Sequence, residues 1–342
     1  MRHNVPMGSL LDVPGMRVGH AQRIGDGWLT GVTAVLAPPG SAGGVDVRGG
    51  GPGTSETDAL DPSTLAQNVD GVALCGGSAY GLAAAAGVQQ FLESEGQGFA
   101  VLGGVVPIVP AAVIFDLGRG GDFSKRPDAA MGFAAAAAAV GSGEADDGAL
   151  RGCVGAGTGA VFARGRYKGG IGMASVALPA GPIQGPPGAP EVNLPERLVV
   201  GALAVVNAAG APIFPEVPPA DREPTLVGGQ APSSANTTLA VVATNAALTP
   251  AECKRTATAA HAGLARALNP SHTIVDGDTI FALSTRAVEF DREPDFARQL
   301  ALFFIQTAAA EAVRLAILDG VRSASTVTTP AGTWEPYPAP PA

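Results

Sequence analysis

The order of predicted elements places this chain among the α/β (α+β) sandwiches. Short buried strands alternate with helices, but no regular strand–helix–strand repeat and no internal sequence repeat is visible. The 342 residues are 46% apolar, which is enough for a full core. Glycine is abundant, with 48 residues, and aromatic residues make up only 5%, so we expect small side chains and close backbone packing to fill that core.

Apolar patterning and capping residues predict the individual elements. Apolar, β-branched runs predict buried strands over Gly31–Ala37, Gly71–Cys75, Val199–Val206, Leu239–Ala243 and Thr279–Ser284. Helices are predicted over Ala79–Glu95, Pro127–Val140 and Leu300–Leu318. The clearest helix begins at the capping box Thr249-Pro250-Ala251-Glu252, runs to Leu268 and stops at Asn269-Pro270.

Residues 1–342 are expected to form a single domain. Residues 179–190 are rich in proline and glycine, and residues 215–236 show neither helical nor strand periodicity, so both predict loops. The segment 330–342 has a similar composition and predicts a flexible tail.

Composition and charge exclude several classes of function. The net charge is −9 and no basic cluster is visible, so nucleic acid is an unexpected partner. Three scattered cysteines indicate a reducing compartment rather than a disulfide framework. The chain starts without an apolar leader, and polar residues interrupt Leu300–Leu318, which predicts a buried helix rather than a membrane span. We therefore expect a cytoplasmic protein, and the low charged content of 15% favours a homo-oligomer.

The change from a polar loop to a buried strand at Asn236-Thr237-Thr238 is the most informative feature of the chain. A threonine at the start of a core strand, behind a long cleavable loop, suits an N-terminal-nucleophile hydrolase. Cleavage of the Asn236–Thr237 bond would give Thr237 a hydroxyl nucleophile and an α-amine base on one residue. The alternative is that the threonines simply begin a strand, as threonine often does.

Two glycine-rich segments invite other interpretations. Gly155-Ala156-Gly157-Thr158-Gly159 resembles a dinucleotide loop, but no acidic residue follows at the spacing that a ribose requires. Gly76-Gly77-Ser78-Ala79-Tyr80-Gly81 is close to a nucleophile elbow that Tyr80 breaks. A triad with Ser78 would need a histidine: His261 falls inside the capped helix, whereas His272 lies in a loop and could serve. The better functional interpretation is a helix N-terminus whose amides bind a substrate carbonyl or carboxylate.

Polar residues at strand ends supply further candidates. Asp276-Gly277-Asp278 precedes a strand and predicts either a tight turn or a carboxylate pair that orients a catalytic amine. Asn207 follows Val199–Val206 and is either a turn residue or an oxyanion donor. No metal-ligand spacing occurs, so we expect neither metal nor cofactor.

Taken together, these segments resemble the DmpA-type L-aminopeptidase/D-esterase family. Besides the segments above, the resemblance rests on Asp46–Thr54 with Glu56-Thr57-Asp58, on Val106–Asp116, on Lys168-Gly169-Gly170-Ile171-Gly172 and on Val205–Gly210. These matches occur in family order over nearly the whole chain. The family includes β-aminopeptidases and endo-type nylon-oligomer (6-aminohexanoate oligomer) hydrolases.

The resemblance implies a self-cleaving precursor with an αββα sandwich of N-terminal-nucleophile-hydrolase-like geometry and the chain connectivity of the ornithine acetyltransferase relatives. By the match, cleavage gives an α-chain of residues 1–236 and a β-chain of residues 237–342, assembled as a homotetramer. Thr237 is then the nucleophile, Asn207 holds the oxyanion, and Asp276 and Asp278 occupy the catalytic-support positions. Arg164 falls near the position of a supporting lysine, and Lys168 competes for that role. Gly76, Gly77, Ser78, Tyr80, Phe115 and Asp116 are the expected substrate-binding residues.

Two differences from the family bear on the substrate. Phe115 stands where several members have a tyrosine that hydrogen-bonds at the site. The Asn-Thr junction and the Asp276/Asp278 pair resemble the nylon-oligomer hydrolases, whereas the aminopeptidases favour Gly-Ser and a Ser/Glu pair.

The sequence therefore predicts an amide hydrolase that acts on short peptides or on amino-acid amides and oligomers through an acyl-enzyme. Two alternatives stay open. An acyltransferase of the ornithine acetyltransferase type would use an amine in place of water, and a non-catalytic small-molecule binding protein would never cleave itself. The choice among α-, β- and ω-amino-acid amides and D-esters, and between exo and endo action, also stays open.

Overall fold

The structure is a computed structural model that describes residues 8–143, 146–183, 192–217 and 236–338. Most of the predicted pre-cleavage loop, residues 218–235, and most of the predicted loop 179–190 lie outside the described residues.

Four helices and twenty strands lie within the described part of the chain. The helices are α1 (Ala85–Ser94), α2 (Ala129–Ala137), α3 (Pro250–Ala267) and α4 (Asp295–Arg322). The strands are β1 (Arg17–Gly25), β2 (Trp28–Leu36), β3 (Ala42–Val47), β4 (Thr54–Ser55), β5 (Gly71–Cys75), β6 (Phe99–Val101), β7 (Gly104–Val106), β8 (Ala111–Val113), β9 (Val161–Phe162), β10 (Tyr167–Lys168), β11 (Ile171–Ala177), β12 (Gly181–Ile183), β13 (Val192–Leu194), β14 (Val199–Asn207), β15 (Ala211–Pro212), β16 (Thr237–Ala246), β17 (Leu268–Asn269), β18 (Thr279–Val288), β19 (Val327–Thr329) and β20 (Gly332–Trp334).

Two five-stranded sheets form the centre of the fold. The first sheet has the strand order β1-β2-β5-β8-β4, and the second has the order β11-β14-β16-β18-β3. Most neighbours pair antiparallel, but β5 pairs parallel with β8 and β16 pairs parallel with β18. The remaining strands form two-stranded ribbons.

Three apolar clusters fill the spaces between four layers. One cluster joins α1 and α2 to the outer face of the first sheet, with Val88 and Ala34 among its members. A second lies between the two sheets and includes Leu74 and Phe281. A third joins the second sheet to α3 and α4. The layers therefore stack as α, β, β and α, which confirms the predicted αββα sandwich.

The apolar patterns located the core elements well. The predicted capping box is present, because the Thr249 side chain accepts from the Glu252 N–H and the Glu252 carboxylate accepts from the Thr249 N–H. The small-residue face of α3 is fully buried at Ala257, Ala260 and Ala267. The helix predicted from Ala79 is wrong in its first half, because Ser78–Ala84 forms a 3₁₀ helix before α1 begins.

Helix α4 contains the apolar run that resembles a membrane span. By length and composition this helix could cross a membrane, but 56% of its most apolar window is buried inside the protein. Ile305, Val313 and Ile317 lie in the cluster that joins α3, α4 and the second sheet. These contacts match the prediction of a buried helix within the fold.

Part of the segment 330–342, for which the sequence predicts a flexible tail, belongs to a strand pair. Strands β19 and β20 pair antiparallel, with Val327 opposite Trp334. Tyr337 then packs against Phe162, Tyr167 and Phe214, with ring centroids 5.9, 4.9 and 5.9 Å away. Aromatic anchoring therefore holds this part of the chain against the rest of the fold, and residues 339–342 lie outside the described part.

Candidate active site

Thr237 is the first residue of β16, in the middle of the second sheet. Its neighbours are β14 on one side and β18 on the other, and only 4% of the residue is exposed. In the antiparallel β14–β16 ladder Thr237 pairs directly with Asn207. Directly opposed residues of an antiparallel pair project from the same face of the sheet, so the hydroxyl and the amide are neighbours.

The peptide bond before Thr237 is held in place on both sides. The Asn236 N–H donates to the Val275 carbonyl at 2.9 Å, and the Gly277 N–H donates to the Asn236 carbonyl oxygen at 2.8 Å. The Thr237 hydroxyl donates to the same oxygen at 2.6 Å. A backbone N–H on this oxygen is positioned to stabilise the negative charge that would develop if the carbonyl carbon were attacked.

Gly277 has no room for a side chain. A Cβ atom at this position would lie 2.6 Å from the Thr237 hydroxyl oxygen and 3.0 Å from the Gly51 carbonyl oxygen. The glycine between the two aspartates therefore allows the chain to approach Thr237 closely enough for its N–H to contact the Asn236 carbonyl.

Asp276 and Asp278 are both buried beside this peptide. Asp276 accepts from the N–H and the hydroxyl of Thr273, at 2.7 and 2.6 Å. Burial, with the charge of Asp278, raises the pKa of Asp276, although the hydrogen bonds from Thr273 act in the opposite direction. The Asp278 carboxylate accepts from the Thr238 N–H at 2.7 Å. The pair is therefore part of the structure around Thr237 and not a surface turn.

His272 forms a previously unassigned part of this cluster. Its ring Nδ1 lies 2.8 Å from the second Asp278 oxygen, which also accepts from the His272 backbone N–H at 2.9 Å. The ring packs edge-on against His261, with centroids 4.8 Å apart. His261 in turn contacts the Asp46 carbonyl oxygen at 3.1 Å, and burial lowers its pKa to about 4. Both histidines are thus neighbours of Asp278 and not partners of Ser78.

Asn207 is fully buried, and its amide oxygen has two donors. The oxygen accepts from Arg119 Nη1 at 2.6 Å and from the Val161 N–H at 3.1 Å. Among the described residues, the amide nitrogen of Asn207 has no hydrogen-bond partner. An unpartnered buried N–H₂ group next to a hydroxyl is suited to hold a substrate oxyanion.

Lys168 is a fully buried cation in the segment that leads into the second sheet. Its ammonium group donates to the carbonyl oxygens of Gly157, Ala160 and Gly169, at 2.9, 2.8 and 2.7 Å. Burial lowers its pKa to about 8, and the charge of Asp116 acts in the opposite direction. Arg164, the other candidate cation, lies half-buried in the turn between β9 and β10, with a φ of 59°.

The glycine-rich segment predicted to bind substrate forms hydrogen bonds within the protein. The Gly77 N–H donates to Asp116 at 2.6 Å, and the Ser78 N–H donates to the Ile114 carbonyl at 2.9 Å. Both amides are thus paired inside the protein, and binding of a substrate carbonyl or carboxylate by this segment stays a prediction. Burial raises the pKa of Asp116, and a Cβ at Gly76 would come within 2.2 Å of its carboxylate.

The aromatic residues of this segment lie closer to the surface. Tyr80 is 57% exposed, and the Arg126 guanidinium lies 3.9 Å from its ring centroid. Phe115 is half-buried and precedes Asp116 directly. Gly76, Gly77 and Asp116 therefore lie together at the end of β5, whereas Tyr80 faces outward.

Sequence reasoning missed Arg119, Gly277 and His272 as parts of the site. Gly277 could have been found, because a glycine between two candidate acids is a signal of close backbone approach. The sequence around Arg119 contains no comparable indication that this residue belongs to the site. Within the described part of the chain, no group of three or more His, Cys, Asp or Glu residues could hold a metal ion.

Comparison with known proteins supports the resemblance seen in the sequence. The profile of Peptidase family S58 matches residues 8–334. An uncharacterised aminopeptidase of Mycobacterium leprae is 47% identical over 309 residues, which cover 83% of this chain and 80% of the relative. The 6-aminohexanoate-oligomer endohydrolase of Paenarthrobacter ureafaciens is 30% identical over 316 residues, covering 84% of this chain and 78% of the relative.

The fold also matches a solved structure. The L-aminopeptidase D-Ala-esterase/amidase of Ochrobactrum anthropi, described as a variant of the N-terminal-nucleophile hydrolase fold, superposes with a TM-score of 0.66 at 19% identity. The match covers 97% of this chain and 92% of that structure.

Proposed function

Since the chain belongs to Peptidase family S58, we propose that it is a self-cleaving amide hydrolase whose nucleophile is the N-terminal threonine Thr237. One observation carries the proposal. The carbonyl oxygen of Asn236 accepts from both the Thr237 hydroxyl and the Gly277 N–H, at the junction where the sequence changes from loop to buried strand.

Self-cleavage begins with attack of the Thr237 hydroxyl oxygen on the Asn236 carbonyl carbon. The Gly277 N–H stabilises the oxyanion, and the hydroxyl proton passes to the Thr237 nitrogen as the C–N bond breaks. The Asn236 acyl group is then held on the hydroxyl oxygen as an ester. Water then hydrolyses the ester, which leaves a carboxylate on Asn236 and a free α-amine on Thr237. That amine becomes the general base for turnover.

Turnover repeats the same chemistry on a substrate amide. The α-amine of Thr237 takes the hydroxyl proton as the oxygen attacks the substrate carbonyl, and the proton passes to the leaving amine. The unpartnered amide nitrogen of Asn207 supports the assignment of this residue as an oxyanion donor. Water releases the acid from the acyl-enzyme and restores the free threonine.

The charges around Thr237 set the pKa of its free α-amine, and this pKa decides whether the amine can act as a base. A free α-amine has a pKa of about 8, and neighbouring carboxylates such as Asp276 and Asp278 would raise that pKa. A cation near the amine would offset this rise in pKa. We assign this role to Lys168 rather than Arg164, because Lys168 is buried and bonds to Ala160, the residue before the Val161 N–H that holds Asn207.

The proposed substrates are short peptides or amino-acid amides and oligomers. The oligomer hydrolase of Paenarthrobacter ureafaciens supports ω-amino-acid oligomers as one class to test, and the aminopeptidase relative supports peptides. A cytoplasmic homotetramer of cleaved protomers is the proposed assembly.

Intact-mass measurement of the purified protein tests the proposal. Two products of 236 and 106 residues (342 − 236) are expected, which stay associated through the second sheet. Hydrolysis is then followed with short α-, β- and ω-amino-acid amides, without any acceptor amine. An uncleaved chain that still hydrolyses these amides would overturn the mechanism, and product formation only with an acceptor amine would indicate an acyltransferase.

A further inference from the structure

We propose that Arg119 is a positioning residue that fixes the orientation of the Asn207 amide, so that the Asn207 nitrogen is always presented to the oxyanion. This inference rests on the proposed function of Thr237 and Asn207. It concerns an arginine that lies 88 residues away from Asn207 in the sequence.

The contact between the two side chains is short and charge-assisted. Arg119 Nη1 lies 2.6 Å from the Asn207 amide oxygen and 2.6 Å from the Gly159 carbonyl oxygen. One guanidinium nitrogen therefore ties the amide to the segment before β9. Hydrogen bonds with an ionised donor are about twice as strong as neutral ones, so this contact dominates the surroundings of the amide oxygen.

The Asn207 amide has only one favourable orientation in this environment. Its oxygen faces two donors, Arg119 Nη1 and the Val161 N–H. If the amide flipped, its N–H₂ group would meet both donors, and two buried hydrogen bonds would be lost. Loss of buried hydrogen bonds is unfavourable because it leaves polar groups unpaired and removed from water. The flipped state is therefore excluded, and the nitrogen stays on the side without a partner.

That unpartnered side is the catalytic one in the proposed mechanism. Asn207 and Thr237 are a direct cross-strand pair, which places both side chains on one face of the sheet. Arg119 also withdraws electron density from the amide through its oxygen, which makes the N–H₂ group a stronger donor. Arg119 thus acts on the reaction through Asn207 and without touching the substrate.

Arg119 is itself held in place by surrounding groups. The Thr329 hydroxyl donates to the Arg119 carbonyl oxygen at 2.6 Å. Burial lowers the pKa of Arg119 to about 10, and the charge of Asp116 acts in the opposite direction, so the guanidinium keeps its charge near neutral pH. Arg119 therefore offers a fixed, charged donor to Asn207.

The test compares Arg119→Met and Asn207→Ala with the double variant, using kcat and KM for an amide that the wild-type enzyme hydrolyses. Arg119→Met is expected to lower kcat by about tenfold or more with little change in KM, because oxyanion stabilisation is lost only in the transition state. In the Asn207→Ala background, Arg119→Met is expected to have almost no further effect, since both changes remove one function. Arg314→Met, which breaks an ion pair with Glu311 on α4, is the matched control.

Chemical rescue separates positioning from a structural role. Guanidinium ion added to Arg119→Ala is expected to restore part of the kcat without changing the melting temperature in parallel. Wild-type kcat in a folded Arg119→Met variant, or fully additive losses in the double variant, would overturn the proposal. Failure of the Thr237 mechanism is distinguishable, because it would appear as activity in Thr237→Ala and would leave the coupling between Arg119 and Asn207 unchanged.

If the Arg119 variants do not fold, substitutions at Asn207 decide. Asn207→Asp keeps an acceptor oxygen for Arg119 and the Val161 N–H, whereas Asn207→Leu leaves both donors unpaired. Asn207→Asp is expected to fold with a higher melting temperature than Asn207→Leu, and both lose the oxyanion donor. Equal melting temperatures would mean that Arg119 does not hold this side chain, and would overturn the proposal.

Discussion

Asn207 and Thr237 face each other across the β14–β16 ladder, so that the proposed oxyanion donor and the proposed nucleophile lie on one face of the second sheet. The pairing is antiparallel and has no bulge at this end. The relative position of the two side chains is therefore fixed by backbone hydrogen bonds rather than by mobile loops, as a preorganised site requires.

Replacing Thr237, the proposed nucleophile, tests the proposed chemistry directly. Thr237→Ala should abolish both self-cleavage and turnover, because the hydroxyl is lost while the strand is kept. Thr237→Ser should keep part of both. Intact mass and amide hydrolysis measure the two effects. Thr238→Val is the control, since the Thr238 hydroxyl has no hydrogen-bond partner in the described part of the chain. Cleavage that moves to another bond in Thr237→Ala would assign the nucleophile elsewhere.

Adding one methyl group at Gly277 should impair self-cleavage. The Cβ of Gly277→Ala would lie 2.6 Å from the Thr237 hydroxyl oxygen. To relieve this clash, either the hydroxyl or the Gly277 N–H must shift away from the Asn236 carbonyl oxygen. We expect cleavage to slow by about tenfold or more, the order of effect for a displaced oxyanion donor. A time course of intact mass measures it. Gly104→Ala, where a Cβ has open space, should cleave normally. Normal cleavage in Gly277→Ala would mean that this N–H does not assist.

The two carboxylates should each matter for rate. Asp276→Asn and Asp278→Asn are expected to lose at least about tenfold in turnover, the low end for a positioned group in proton transfer. In Asp278→Asn an N–H₂ group must also face a donor, because the Asp278 oxygens accept from Thr238 and His272. Its melting temperature should therefore fall. Asp61→Asn, at a surface pair with Lys254, is the control. A chelator should change nothing, and inactivation by EDTA would instead indicate a metal site.

The buried ammonium of Lys168 should give stability a specific dependence on pH. Its pKa is about 8 in the fold against 10.5 ordinarily, so between these values the unfolded chain binds more protons than the folded one. The free energy of unfolding should therefore rise as pH rises from about 8 to about 10, and it should fall again as pH is lowered through the same range. Urea unfolding of wild type and Lys168→Met at both pH values measures the difference.

The control for the Lys168 measurement is an exposed lysine. Lys254 forms a surface ion pair with Asp61, and Lys254→Met should show the same pH dependence of stability as the wild-type protein. If Lys168→Met and Lys254→Met behaved alike between pH 8 and pH 10, a lowered pKa of Lys168 in the fold would be contradicted.

Local chemistry was enough to predict much of this fold from the sequence. The capping box at Thr249 and the apolar runs at Val199–Val206 and Leu239–Ala243 depend on neighbouring residues only, and each element is where the pattern predicted it. The helix predicted from Ala79 was partly wrong, because Gly77 and Ser78 take positive φ values of 80° and 52° and Gly81 packs against the Gly76 carbonyl. That contact depends on a backbone conformation which composition does not reveal.

The sequence by itself determined the buried strand around Leu239–Ala243, the candidate residues Asn207, Asp276 and Asp278, and the small-residue packing of the helices. Only the tertiary structure decided which groups complete the site, namely Arg119 on Asn207, His272 on Asp278 and the Gly277 N–H on the Asn236 carbonyl. The physical reason is the separation in sequence between the residues that interact. Strand and helix signals come from residues a few positions apart, whereas the orientation of a buried amide depends on a hydrogen bond to an arginine 88 residues away, which forms only when the sheets and loops have packed.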